Sequence, residues 1–236
     1  MPAATDPVFN YLYGRKISYM ENRSMLFRDK RIHYTVCGQG QPVLLLHGFG
    51  EDSRIWQRQI PALSQHCKLI VPDIPGSGAS AMLPDAGIPD YAEAIKNILE
   101  KEGCPAILLG HSMGGYIILA LAEAYPEYIS ALGLIHSTAY ADSPERKDMR
   151  LKAKEFINVK GAHTFLKTST PGMFSQASQE ILRTEIQQLT ERNRSFTADV
   201  LCQYYRAMLE RPDRTQVLRN AKVPVLMAIG ELDQAV

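Results

Sequence analysis

The chain has 236 residues, enough for one large α/β domain with an inserted subdomain. Hydrophobic residues make up 45% and charged residues 22%, as in ordinary globular proteins, and the net charge of +1 argues against a nucleic acid or an anionic membrane as partner. The four cysteines form no C-x-x-C pair, so we expect reduced, buried thiols. No apolar run approaches membrane-spanning length and residues 1–20 lack the apolar core of a signal peptide, which predicts a cytoplasmic protein.

Strand-like and helix-like segments alternate along most of the chain, and only residues 1–23 predict no clear element. Apolar runs typical of strands lie at 25–28, 31–36, 43–46, 68–71, 105–109, 132–135 and 223–229. The first two flank Asp29-Lys30 and predict an antiparallel hairpin. Helical spacing is seen for Trp56, Ile60 and Leu63, and again for Tyr91, Ile95 and Ile98. This alternation predicts a mostly parallel sheet with helices on both faces.

Residues 143–213 interrupt the alternation, because they contain no strand-like run. Three apolar stripes predict helices there: Met149, Ala153 and Phe156; Leu182, Ile186 and Leu189; and Leu201, Tyr205 and Met208. A loop is predicted at 168–172. An insertion at the carboxyl edge of a parallel sheet lies over the ligand site. We therefore predict a helical cap at 143–213 on a discontinuous core formed by 1–142 and 214–236.

The sequence G-H-S-M-G at 110–114 lies between a buried strand and the apolar helix predicted at 116–122. This context is typical of a nucleophile elbow, which presents a serine on a sharp turn at the end of the strand. Glycines two residues on either side avoid collisions with neighbouring backbone. Ser112 is thus the predicted nucleophile, and the N–H of Met113, at the helix start, is placed to bind a developing oxyanion.

Four motifs occur in one order along the chain: H-G-F-G (47–50), D-I-P-G-S-G-A-S (73–80), G-H-S-M-G-G (110–115) and P-V-L-M-A-I-G-E-L-D (224–233). In these motifs the chain resembles the α/β-hydrolase superfamily, and in particular its small capped serine hydrolases of the esterase and lipase kind. The resemblance implies that the N–H of Phe49 is the second oxyanion donor, opposite Met113. It implies that Asp233 is the acid that orients a histidine base. It implies no metal and no cofactor, and it leaves the oligomeric state open.

The base is missing from its expected place, which in the resembling family follows the acid and one more strand. All six histidines lie upstream of Asp233: His33, His47, His66, His111, His136 and His163. Of these, His47 is interpreted as a brace of its loop, and His136 has only a weak claim to line the pocket. We therefore expect that the sequence is cut from a longer protein, that its last strand, base and final helix lie beyond Val236, and that the 236-residue chain is nearly inactive. Asp142 is an alternative candidate for the catalytic acid, and Glu231 is a weaker candidate for the same role.

Three functions fit these features. The first is a serine hydrolase that cleaves a small-molecule carboxylic ester through an acyl-enzyme, with lactone, thioester and C–C-cleavage substrates left open. Dehalogenases and epoxide hydrolases of the resembling superfamily carry aspartate where this chain has Ser112. The second is a non-catalytic ligand-binding protein, and the third is a cofactor-free haloperoxidase or perhydrolase. The apolar residues of the cap either line a pocket or form its own core: Phe156, Phe165, Met173, Phe174 and Met208.

Overall fold

The computed structural model describes residues 20–233, in which seven strands form one sheet. The predictions for residues 1–19 lie outside this range. The strands are β1 (Glu21–Phe27), β2 (Lys30–Cys37), β3 (Pro42–Leu46), β4 (Lys68–Pro72), β5 (Ala106–His111), β6 (Ile129–Ile135) and β7 (Val225–Ala228). The helices are α1 (Ile60–Leu63), α2 (Ile88–Glu102), α3 (Met113–Ala124), α4 (Pro144–Lys160), α5 (Ala162–Ser169), α6 (Gln176–Ile181), α7 (Arg183–Arg192), α8 (Ala198–Glu210) and α9 (Thr215–Arg219).

The sheet has the strand order β1-β2-β4-β3-β5-β6-β7. β1 and β2 form the predicted antiparallel hairpin, and β2 pairs antiparallel with β4. The hairpin turn lies one residue earlier than predicted, because Arg28 and Asp29 both adopt left-handed φ angles of 48° and 60°. Two such residues give the turn whose twist matches the flanking strands. All remaining pairings are parallel, as the alternation of strands and helices predicts.

The central strand β3 shows how the sheet is covered on both faces. Leu44 and Leu46 belong to the larger hydrophobic core, which α2 and α3 complete. Val43 and Leu45 point the other way and pack with Trp56 and Ile60. Side chains alternate along a strand, so an entirely apolar run is required when both faces are buried. Because β3, β5, β6 and β7 run parallel to one another, their carboxyl ends lie at one edge of the sheet. The polar residues of the motifs follow at this edge.

The segment 144–210, all of it described, forms the five helices α4–α8 and contains no strand. Two local predictions are wrong. Residues 168–172 are the end of α5 and a 3₁₀ turn, Thr170–Met173, where a loop was predicted. The predicted stripe on α4 is also off by one position: Ile157 is fully buried, whereas Met149 and Phe156 are exposed. The exposed face of α4 carries apolar residues among its charges. The spacing of apolar residues by itself therefore indicates the wrong buried face for this helix.

Buried polar contacts attach this helical segment to the sheet. The carboxylate of Asp142, just after β6, pairs with Arg150 on α4 at 2.6 Å and with Arg211 after α8 at 2.9 Å. On α8, Gln203 donates to the Tyr91 hydroxyl of α2 at 2.8 Å, and the Tyr204 hydroxyl donates to the Pro75 carbonyl at 2.9 Å. If the two parts separated slightly, these buried groups would lose their hydrogen-bond partners without gaining water in exchange. The contacts therefore fix the docking geometry.

Three surface features complete the fold. β7 is the edge strand opposite β1, and Val225, Leu226 and Met227 on it are 39–56% exposed. The four cysteines are free thiols, but the prediction that they are buried holds for Cys37 alone: Cys67 and Cys202 are half-buried and Cys104 is exposed. Within residues 20–233 no helix combines the length and the apolar character needed to cross a membrane.

Candidate active site

Ser112 lies on the turn between β5 and α3, with backbone angles of φ 49° and ψ −117°. This conformation is costly for a residue with a side chain and persists only where the surrounding structure enforces it. Here the Ser112 N–H donates to Ile135 of β6 at 3.0 Å, and its carbonyl accepts from the Ser137 hydroxyl at 2.8 Å. The elbow is therefore held by the neighbouring strand, and Ser112 stands at the carboxyl edge of the sheet.

The elbow glycines are required by close backbone contacts. A Cβ on Gly110 would lie 2.5 Å from the Gly114 carbonyl oxygen, and a Cβ on Gly114 would lie 2.5 Å from the His47 carbonyl oxygen. A Cβ on Gly115 would meet the Ser137 hydroxyl at 2.1 Å. Each distance is too short for non-bonded atoms. Gly110 therefore lets the elbow turn back closely on itself, Gly114 lets it pack against the loop that follows β3, and Gly115 lets it pack against the residue Ser137 that follows β6.

Phe49 lies in that loop, next to the elbow. Its ring stacks on Tyr205 of α8 at 4.3 Å between centroids, with Phe165 and Tyr204 edge-on around it. Burial raises the pKa of the Tyr205 hydroxyl to about 12, in keeping with a tightly enclosed cluster. The side chain of Phe49 is thus fixed by the helical segment, and its backbone N–H, the predicted oxyanion donor, belongs to the loop beside the elbow. Met113 begins α3, so its N–H has no partner within the helix.

His47 is the brace predicted from the sequence. Its buried ring accepts the Ile74 N–H at Nε2, at 2.9 Å, and its Nδ1 lies 2.9 Å from the Gly48 carbonyl. An accepting Nε2 leaves the proton on Nδ1, so the ring donates to that carbonyl. Asp73 likewise accepts from backbone amides, those of Ser53 and Ala79, and shapes its own loop. Neither side chain lines the cavity beside Ser112.

Asp233 is brought to the same edge, and its partner is His136. The His136 Nδ1 lies 2.5 Å from the Asp233 carboxylate, and a carboxylate accepts, so the ring donates. His136 has a left-handed φ of 46° directly after β6. A Cβ on Gly230 would lie 3.0 Å from the His136 Cε1, so the missing side chain at Gly230 leaves room for the ring. From the sequence we assigned His136 only a small chance of lining this pocket, and the structure corrects that interpretation.

A second histidine–carboxylate pair was missed altogether. Glu51, just after H-G-F-G, accepts from the His111 Nδ1 at 2.9 Å and from the Gly48 N–H at 2.9 Å. Burial by itself would raise the pKa of Glu51, but the charge and hydrogen bond of His111 and the Gly48 amide outweigh it, and the pKa lies below its ordinary value. For His111, burial would lower the pKa, but Glu51 raises it above its ordinary value, with a smaller contribution from Asp233. The signal in the sequence was Glu51, the first of two acidic residues that directly follow H-G-F-G.

A cavity of about 500 Å³ joins these groups. Its polar side includes Ser112, His111, His136, Glu51 and Asp233. Its apolar side is formed by Phe49 and Ile55 from the segment after β3 and by four residues of the helical segment 144–210: Leu166, Met173, Phe174 and Leu189. Of the five apolar residues whose role the sequence left open, Met173 and Phe174 line this cavity. A half-enclosed apolar pocket with a few convergent polar groups is the usual form of a small-molecule site.

Asp142, the alternative candidate for the acid, forms ion pairs away from the cavity. Asp142 is buried between Arg150 and Arg211. Burial would raise its pKa, but the two guanidinium groups outweigh that effect and keep the pKa below its ordinary value. Asp142 therefore serves the attachment of the helical segment. Among residues 20–233, no group of three His, Cys, Asp or Glu side chains is arranged to hold a metal ion.

Comparisons with known proteins identify the fold. A family model described as "alpha/beta hydrolase fold" matches residues 41–155. The structure of a thermophilic esterase from Thermogutta terrifontis superposes with a TM-score of 0.81 and 27% identity, over 89% of this chain and 80% of the esterase. The chain has the α/β-hydrolase fold. The enol-lactonase from Burkholderia xenovorans shares the fold with a TM-score of 0.80, at 21% identity over 89% of this chain and 81% of the lactonase.

Curated proteins with related sequences are named as hydrolases. A pimeloyl-[acyl-carrier protein] methyl ester esterase from Vibrio cholerae is 36% identical over 107 residues, which is 45% of this chain and 41% of the esterase. An (E)-2-((N-methylformamido)methylene)succinate hydrolase from Acinetobacter baylyi is 28% identical over 162 residues, 68% of this chain and 60% of the hydrolase. The chain thus spans about half the length of these curated relatives.

Proposed function

We propose that the protein is a serine hydrolase that cleaves small-molecule carboxylic esters through an acyl-enzyme. The observation that carries the proposal is the strained elbow: Ser112, with φ 49°, opens into the same cavity as Asp233 and the loop of Phe49. Strain of this kind is kept where an exposed nucleophile needs it. The esterases among the similar proteins support the same chemistry.

In the proposed mechanism, the Ser112 Oγ attacks the ester carbonyl and gives its proton to an imidazole held by Asp233. The N–H groups of Phe49 and Met113 bind the oxyanion of the tetrahedral intermediate. Collapse of this intermediate releases the alcohol, which takes the proton from the imidazolium. A water molecule, deprotonated by the same imidazole, then hydrolyses the acyl-enzyme and frees the acid and Ser112.

Two histidines compete for the imidazole role in this proposal. One is the base expected beyond Val236, and the other is His136, which already donates to Asp233. The cap proposed for residues 143–213 covers the pocket with α5, the turn after it and α7, and so selects the acyl or alcohol group. A cavity of about 500 Å³ with apolar cap walls suits a small to medium apolar group.

The direct test is hydrolysis of a short-chain p-nitrophenyl ester by the protein expressed from its complete coding sequence. Ser112→Ala is expected to lower kcat on the order of a millionfold, because without the hydroxyl no acyl-enzyme forms. Ser169→Ala is the matched control, since Ser169 lines the same cavity and donates to the Phe165 carbonyl. Equal activity of the Ser112→Ala variant contradicts the proposal, and inactivity of a well-folded wild type favours a binding protein instead.

A further inference from the structure

Three side chains converge on Gly48, the residue before Phe49. A Cβ at Gly48 would lie 3.0 Å from the Ser112 Cβ, 3.1 Å from the Glu51 Oε2 and 3.2 Å from the His111 Nδ1. The Glu51 carboxylate therefore sits where the loop after β3 meets the elbow. Its side chain is 16% exposed, so water competes little for its oxygens.

The contacts of Gly48 decide how the next peptide is oriented. Its N–H donates to the Glu51 Oε2 at 2.9 Å, and its C=O accepts from the His47 ring at 2.9 Å. That C=O and the N–H of Phe49 belong to one planar trans peptide and point in opposite directions. Fixing Gly48 from both ends therefore fixes the direction of the Phe49 N–H.

The same Glu51 oxygen also accepts from His111, the residue directly before Ser112. One carboxylate thus joins the backbone that bears one oxyanion donor to the elbow that bears the nucleophile and the other donor. We propose that Glu51 is a positioning residue: paired with His111, it holds the Phe49 N–H at the distance and angle that the oxyanion requires. This inference rests on the proposed ester hydrolysis and adds a residue to it.

The charges around the pair make its effect dependent on pH. Glu51 faces His111 and His47, while His111 faces Glu51 and Asp233, with the His136 ring 6.1 Å away. Because the pKa of Glu51 is lowered on folding, its stabilising contribution is complete above pH 4.5, the ordinary pKa of a glutamate. The contribution is lost as the pH falls through the pKa of Glu51 in the folded protein. Because the pKa of His111 is raised on folding, its stabilising contribution is complete below pH 6.5, the ordinary pKa of a histidine. The contribution is lost as the pH rises through the pKa of His111 in the folded protein. Both contributions are complete between about pH 4.5 and 6.5.

The first test is ester hydrolysis by Glu51→Gln in the protein from its complete coding sequence. We expect kcat to fall about 10- to 100-fold with KM changed less than about twofold, because a misdirected donor weakens the transition state and leaves substrate binding intact. The double variant Glu51→Gln/His111→Gln is expected to be no slower than the slower single variant, since both act through one contact. Asp52→Asn is the control: Asp52 is the neighbouring buried carboxylate, but it pairs with Arg54 and not with the elbow.

The second test does not depend on activity. The difference in free energy of unfolding between wild type and Glu51→Gln is expected to be largest between about pH 4.5 and 6.5 and to shrink outside that range. Hydrolysis that requires Ser112 but proceeds at the wild-type rate in Glu51→Gln overturns this inference alone. Hydrolysis that does not require Ser112 overturns the proposed function and the positioning role together, and a difference in unfolding free energy that is flat with pH overturns the ion pair.

Discussion

At the residue scale, the most informative side chain is His136, because the sequence undervalued it. It follows β6 with a left-handed φ, and its ring donates to Asp233. Nothing in a single sequence reports that the ends of β6 and β7 meet, since that depends on strand order. The elbow conformation of Ser112, in contrast, was predictable, because a strand, a G-x-S-x-G turn and a helix are adjacent in the chain and define the elbow locally.

We predict that His136→Gln lowers kcat of the complete protein by about 10- to 100-fold, the usual effect of removing a partner that orients a functional carboxylate or imidazole. Hydrolysis of the p-nitrophenyl ester measures it. A loss on the order of 10⁴-fold or more would instead identify His136 as the base itself. His66→Gln, outside the cavity, is the matched control and should retain wild-type kcat.

At the element scale, α4, α7 and α8 were predicted from apolar spacing, whereas α5, α6 and the attachment of the whole helical segment were not. The apolar stripes of α7 and α8 include the buried Ile186, Leu201 and Met208, as their spacing predicts. Asp142 looked like a rival acid because it follows a strand at the carboxyl edge. Its two arginine partners lie far along the chain, so only the folded structure shows that the carboxylate is structural.

We predict that Asp142→Ala lowers the free energy of unfolding by about 3–5 kcal/mol, because it leaves the buried Arg211 and the largely buried Arg150 without their carboxylate. Urea denaturation measures the change. The control is Asp148→Ala on α4, which removes an exposed pair with Lys152 and should match wild type within error. Equal stability of the two variants would contradict the attachment role.

At the scale of the whole molecule, the sheet was predicted from alternating apolar runs and the site from the edge at which its strands end. The hairpin turn was misplaced because its position depends on local backbone twist. The buried face of α4 was misplaced because exposed apolar residues are interspersed with charges on the opposite face. The contact between Glu51 and His111 joins residues 60 positions apart and leaves no local pattern. Sequence reasoning therefore finds the parts of this site that a motif carries and misses those that tertiary pairing creates.

The expectation that the base lies beyond Val236 makes a prediction about chain length. The 236-residue chain should hydrolyse the ester on the order of a millionfold more slowly than a longer protein that supplies the base, because a serine hydroxyl is a poor nucleophile without a proton acceptor. Side-by-side kcat values of the 236-residue chain and the product of the complete coding sequence measure it. Comparable values would show that a residue within the 236-residue chain serves as the base, with His136 the first to mutate.

The central claim is that Ser112 is an activated nucleophile, and covalent labelling tests it most directly. The protein from its complete coding sequence is treated with a fluorophosphonate probe, digested, and the labelled residue is located by mass spectrometry. The account predicts one adduct on Ser112, no labelling of Ser112→Ala, and full labelling of Ser169→Ala. Labelling of another residue, or labelling that persists in Ser112→Ala, would contradict it.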